Sequence, residues 1–433
     1  MGSGRLSQIV SYGRRVYDLG ERLSAVHDER EAPRTAAPLV AGAVLFTGLL
    51  RIPSFNALEP KLSEKPFLRL VGTSRNSERL CSVDTLSRAL SVMDVGSVRD
   101  VCVGIVRQAE RNKVFRDGWY WTMRYVALDG WEPIQSYARH CKECLVRHIK
   151  VKPRRGEVRE VEQYYHRFAV AMLIDERFDL ALDIEPVLPQ DQRIALLGEG
   201  ECDEGELTAA KRLLRRVKGT FPWLDVVVAD SLYANGPFLT LVKELRMGAV
   251  VIARKEGDEP LKEALRLWGD EPAEKVIQQG DERVELWDCE DLTTLDTYKG
   301  SIRVVRGRVS STKRPERPTH EWCMLVTGCA TKLPEEKVLA VGRARWHIEN
   351  TGFHQWSTQW RFTHVFTHHP QAIRALYWLF FAAYNLLTLF LYLQLKSYGR
   401  DRGRDTTRTI RRLVEEIREE LARWWEPPTW DTS

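Results

Sequence analysis

Residues 375–395 (ALYWLFFAAYNLLTLFLYLQL) run for 21 positions without a charged side chain. About 20 such residues suffice to cross a bilayer as a helix, so this stretch must either enter lipid or be buried on most sides in a large domain. Asn385, Thr388 and Gln394 interrupt the run, and the next apolar stretch, 37–50 (APLVAGAVLFTGLL), is too short to span. The reading taken is a core helix, with a membrane span as the alternative. The rest of the chain can supply such a core: its 433 residues allow two or three domains, and 43% hydrophobic with 29% charged residues is a globular balance. The N-terminus, MGSGRLSQIV, lacks the layout of a secretory signal, and eight scattered cysteines do not make a disulfide scaffold. A cytoplasmic protein is expected.

The pattern of the chain changes along its length. Apolar spacing at 5–30, 38–50, 84–93 and 98–112 is helical, so the first ~115 residues are expected to be mainly α. Aromatic and branched residues at 120–128, 163–174 and 179–187 then read as strands. Helix 204–218, strand 224–229, helix 237–246 and strand 248–253 follow, which indicates an α/β domain with a mixed sheet. Residues 256–332 read as a β-rich insertion, with alternation at 275–287, 301–309 and 321–327. Helical patterns return at 334–358, 371–397 and 404–425.

Three acids stand at chemically useful places. Asp129 (RYVALDG) and Asp230 (LDVVVAD) are each expected to end a strand, where the backbone is rigid and the carboxylate leaves the sheet. Glu349 (RARWHIEN) is expected on a helix, with Arg345 one turn earlier on the same face. Oxygen ligands from separate elements are what a hard divalent cation takes. Singly, each acid reads as readily as a cap, a turn starter or half of an ion pair. Their order and elements carry the metal-site reading.

The stretches VALDGWEPIQSYARHCKECLVR, EQYYHRFAVAMLI, LALDIEPVLP, LDVVVADSLYANGPF and GRARWHIENTGFHQW resemble bacterial insertion-sequence transposases of the DDE type, in the IS-four group, over about residues 85–390. The resemblance implies an RNase H-like mixed sheet flanked by helices, interrupted by a β-rich insertion before the final glutamate. It implies Asp129, Asp230 and Glu349 as catalytic and metal-binding acids, and Arg345 as the arginine of a Tyr-Arg-Glu-Lys signature. Gly342 stands where that signature has tyrosine and Trp356 where it has lysine; Arg361 or Lys332 could substitute in gripping phosphate. The implied reaction is two-metal cleavage of phosphodiester bonds and strand transfer, with Mg²⁺ as the ion and Mn²⁺ as its alternative. The implied partners are terminal inverted repeats and target duplex DNA, bound by a homodimer. An RNase H-like nuclease without strand transfer, and an inactive transposase-derived DNA-binding protein, are the alternatives.

Basic residues concentrate in three places that net charge of +5 conceals. They are 139–159, which includes Arg154 and Arg155; 303–317, with Arg303, Arg306 and Arg308; and 396–412. Such patches gain affinity for phosphates by counterion release, although any one could be a solvated face. Trp287 in the insertion and Trp346, Trp356 and Trp360 around Glu349 could stack bases, at roughly 1–3 kcal/mol each. Core packing is the preferred reading for Trp346 and equals stacking for Trp287. Cys141 and Cys144 form a CxxC, half of a structural zinc site. With no regularly spaced partner among His140, His148 and His166, two free thiols in a turn are expected rather than zinc.

The domain division expected is a helical part at 1–115 that could bind DNA ends, core segments at 116–255 and 334–398 around the insertion at 256–333, and a charged C-terminal helix at 399–433. Residues 82–93 could open a helix-turn-helix, with a plain helical bundle as the preferred description.

Overall fold

The computed structural model describes residues 4–74, 76–117, 123–151, 158–175, 177–197, 202–254, 257–395 and 406–423. Ten strands form one sheet: β1 (Tyr125–Ser136), β2 (Leu145–Val151), β3 (Arg159–Ile174), β4 (Asp179–Pro186), β5 (Val226–Ala229), β6 (Gly248–Ile252), β7 (Lys275–Gln279), β8 (Glu282–Leu292), β9 (Ile302–Ser311) and β10 (His320–Thr327). Their order is β2-β3-β1-β5-β6-β10-β9-β8-β7, and β4 also pairs with β3. β1 runs antiparallel to β3 and parallel to β5, which is parallel to β6. This is the RNase H-like mixed sheet expected.

Sequence explains the layering. β5 (VVVA) is buried at every position, as parallel strands covered on both faces are. The outer strand β7 alternates instead and leaves Val276 exposed. Strand-rich character at 256–333 is as expected, yet these strands do not form a body apart from the sheet. β10 pairs with β6 antiparallel, Met324 opposite Ile252 and Thr327 opposite Ala249, so β10 to β7 lengthen the same sheet.

The apolar run lies in the helix Pro370–Gln394, which is 83% buried over its most apolar window and packs on helices Ala37–Leu49 and Val95–Arg111. Protein covers the surface that a span would offer to lipid. Asn385, fully buried in this helix, donates to the Ala181 carbonyl at 2.8 Å and accepts from the Ala181 N–H at 2.9 Å. Ala181 lies on β4, which among the described residues pairs with β3 alone, so one amide satisfies both backbone groups of Ala181 at the strand's outer edge, the carbonyl also meeting Cys102 Sγ at 3.9 Å.

The helical pattern at 5–30 divides into Arg5–Tyr17 and Leu19–Ser24, because Asp18 adopts a left-handed conformation (φ 51°). Helices Val83–Ser91 and Val95–Arg111 are capped by Ser82 and Asp94. The second of these buries Val98, Val101, Ile105 and Val106. Its apolar face serves the core. Arg99 of this helix pairs with Asp183 of β4 at 2.7 Å and bolts the N-terminal helices to the sheet.

Candidate active site

Asp129 does not end its strand, contrary to expectation: β1 continues to Ser136, kept in the sheet by pairing with β3 on both sides of a bulge between Trp131 and Ile134. It is β5 that stops. Ala127 lies opposite Val228, so the same register carried on two residues brings Asp129 beside Asp230, on strands about 4.8 Å apart. Asp230 caps the short turn Ser231–Tyr233, accepting from the Leu232 N–H at 2.9 Å.

Glu349 arrives from the other side. After helix Glu335–Ala344 the chain widens into a π-helical turn, Ile348–Phe353, that carries it; such turns often occur at functional sites. Arg345 Nη1 lies 3.1 Å from Asp129 Oδ2 and 2.6 Å from Glu349 Oε1. One nitrogen therefore holds both carboxylates, less than about 6 Å from each other at ordinary hydrogen-bond lengths. The structure thus brings Asp129, Asp230, Glu349 and Arg345 together. No three of these acidic groups close to within 4.8 Å of one another among the described residues.

A fourth acid was missed by sequence reasoning. Glu206, the first residue of helix Glu206–Thr220, packs so closely on Gly130 that a Cβ there would meet its carboxylate at 2.0 Å. It accepts from Tyr233 Oη at 2.9 Å and from Arg167 Nη2 at 2.5 Å. It lies in the acidic run EGECDEGE, which in sequence is only a balance to basic patches. Nothing local to that run distinguishes it.

Burial pushes the Asp129 carboxyl up to about 7; Arg345 and the Gly130 N–H oppose this, and the charges of Asp230 and Glu206 add to it. The site is rich in negative charge and short of compensating cation. Carboxylates from a strand, a turn and a helix fit a hard divalent cation in donor type and in charge.

The outlying positions behave differently. Arg303 is buried: it donates to Asp288 at 2.8 Å and to the carbonyls of Thr331 and Leu333 at 2.8 and 2.6 Å. Its donors fasten strands to the start of helix Glu335–Ala344 and are not turned to DNA. Trp287 is also buried, donates to the Glu271 carbonyl at 3.1 Å, and has Arg306 and Arg308 over its ring at 4.6 and 5.0 Å. Those two arginines pair with Glu321 and Glu285. A ring so covered has no face for a base. Arg154 and Arg155 lie outside the described residues.

Trp346, expected in the core, is exposed instead (40%), with the Arg345 guanidinium 5.1 Å from its ring centre. Trp356 and Trp360 are core residues. The two departures from the signature have steric reasons. A Cβ at Gly342 would meet Met324 Cε at 2.3 Å, so a tyrosine there would require the Met324 side chain to move. Trp356 fills an aromatic cluster with Trp131, Phe381 and Tyr384, where a lysine would be buried without water. Lys332 and Arg361 are both exposed.

The turn after β1 holds another difference from expectation. Cys141 and Cys144 are not alone: His166, on β3, lies against both.

Residues 191–386 match the family model described as the transposase DDE domain. The match contains Asp230, Arg345 and Glu349 and begins after Asp129. No curated protein matches the chain.

Proposed function

On the match of residues 191–386 to the transposase DDE domain model, we propose that this chain cuts and rejoins the ends of a mobile DNA element by phosphodiester hydrolysis and strand transfer. The observation that carries the reading is the convergence of Asp129, Asp230 and Glu349, from β1, the end of β5 and the π-turn, with Arg345 joining two of them. Asp129, Asp230 and Glu349 would hold divalent cations such as Mg²⁺ or Mn²⁺, which would supply activation of water and charge stabilisation at the leaving 3′-oxygen.

The chain's own groups set the conditions for that chemistry. Asp129 gives up its proton to bind a cation, a requirement that its raised pKa makes pH-dependent. Arg345 orients Asp129 and Glu349 toward each other. Trp346, exposed beside Arg345, offers a face on which a base at the cut end can stack. Exposed Arg139, Lys142 and Lys150 form a basic surface near β2 for the duplex. A homodimer on paired ends and a cut-and-paste pathway follow from the family resemblance.

The test is incubation of purified protein and Mg²⁺ with a duplex that carries the inverted repeats flanking its gene. Nicked ends with free 3′-hydroxyls, and their joining to a second duplex, are expected, with both products absent from Asp230→Ala. DNA left uncut by the wild type would refute the proposal. Cutting without joining would indicate a nuclease instead.

A further inference from the structure

The turn that joins β1 to β2 brings two thiols together with an imidazole from β3. The Cys144 N–H closes on the Cys141 carbonyl at 3.2 Å, which folds the CxxC into a tight turn and brings both sulfurs to one side. His166 reaches them from β3, where it pairs with Ile134 of β1 beyond the bulge. The two Sγ atoms are 3.6 Å apart, and His166 Nε2 lies 3.3 Å from Cys141 Sγ and 3.4 Å from Cys144 Sγ. A tetrahedral zinc ion with Zn–S near 2.3 Å and Zn–N near 2.0 Å requires edges of about 3.8 Å between sulfurs and about 3.5 Å between sulfur and nitrogen. The three observed edges are within a few tenths of an ångström of that face.

Surrounding groups suit thiolates. The Glu143 N–H points at Cys141 Sγ (3.4 Å) and the Cys141 N–H at Cys144 Sγ (3.3 Å), donors that favour charged sulfur. Glu143 is itself buried and bonded to Arg374 at 2.8 Å, so the turn is anchored to the long helix Pro370–Gln394.

We propose that Cys141, Cys144 and His166 bind Zn²⁺ as a structural site separate from the acids, with water at the fourth vertex. Binding releases the two thiol protons to solvent and requires neutral His166. The ion fixes residues 137–144, which carry the exposed cations Arg139 and Lys142. Spacing concealed this arrangement: His166 lies more than twenty residues beyond the cysteines and meets them only through strand pairing.

Full-length protein is prepared under reducing conditions without chelator and its metal content measured. One zinc per chain is expected, retained in Asp230→Ala and lost from Cys144→Ser and His166→Ala, whose affinity for Zn²⁺ falls by more than about 100-fold. Wild-type protein, stripped and titrated with Co²⁺, provides a reading that does not depend on variant folding. Intense thiolate-to-cobalt absorption should saturate at one equivalent and be bleached by Zn²⁺. Absence of those bands, equal zinc in Cys144→Ser, or loss of zinc in Asp230→Ala would overturn the assignment. A metal-free wild type with cleavage intact would overturn the zinc site alone, whereas bound zinc with no cleavage would count against the transposase reading alone.

Discussion

Replacing Asp129 with asparagine removes a charge that the fold accommodates poorly. The carboxyl titrates at about 7 in the folded chain, up from its ordinary 3.8. Between those values the folded state binds more protons than the unfolded state, so wild-type stability falls as pH rises through the window and levels off above it. A gap of about three pH units at 1.36 kcal/mol each amounts to roughly 4 kcal/mol above about pH 8. Asparagine keeps the shape and one oxygen, which can accept from the Gly130 N–H as Asp129 Oδ1 does at 2.8 Å. Its amide nitrogen replaces the Oδ2 that Arg345 reaches at 3.1 Å, so the lost Arg345 bond subtracts from the gain. Asp129→Asn should therefore be inactive, yet in EDTA more stable than wild type by up to about 4 kcal/mol near pH 8. Near pH 4 the difference should shrink below about 1 kcal/mol. Urea denaturation followed by tryptophan fluorescence at several pH values measures it. Mg²⁺ should narrow the gap at high pH by stabilising the wild type alone. A variant less stable than wild type near pH 8, or a difference independent of pH, would refute the reasoning.

Glu206→Gln keeps a hydrogen bond to Tyr233 and removes one charge that raises Asp129; the acid limb of Mg²⁺-dependent cleavage should move to lower pH, as pH–rate profiles would record. Asp183 is fully buried between Arg99 and Arg216, 2.7 and 2.8 Å away, so Asp183→Ala should cost about 3–5 kcal/mol in urea denaturation by leaving those charges uncompensated. Asn385→Leu makes the long helix more apolar and still should lose at least about 2 kcal/mol, because the Ala181 N–H loses its partner and the carbonyl keeps only a long Cys102 Sγ contact. Hydrogen exchange at Ala181 should rise in the same variant.

Local pattern was enough for the alternation of elements, because the period of apolar residues is fixed by the geometry of helix and strand. Helices Ala37–Leu49 and Pro370–Gln394, strands β3, β5 and β6, and the helical character around Glu349 all lie where their residues indicate. The candidate acids were legible for the same reason: Asp230 follows a buried apolar strand, and Arg345 and Glu349 are one turn apart. Exposure and convergence belong to the tertiary structure, since they depend on what packs against a residue from far along the chain. Residues around Trp287 and Trp346 give no sign that the first is covered by Arg306 and Arg308 and the second left open. Arg303 looks like its basic neighbours until Asp288 and two carbonyls close on it. Glu206 acts on Asp129 through the fold, its carboxylate lying against Gly130 next to it, and His166 reaches Cys141 and Cys144 because β3 pairs with β1 beyond the bulge. Sequence periodicity determined the elements and the helical pairing of Arg345 with Glu349; strand register and helix packing decided which distant residues share a site with them.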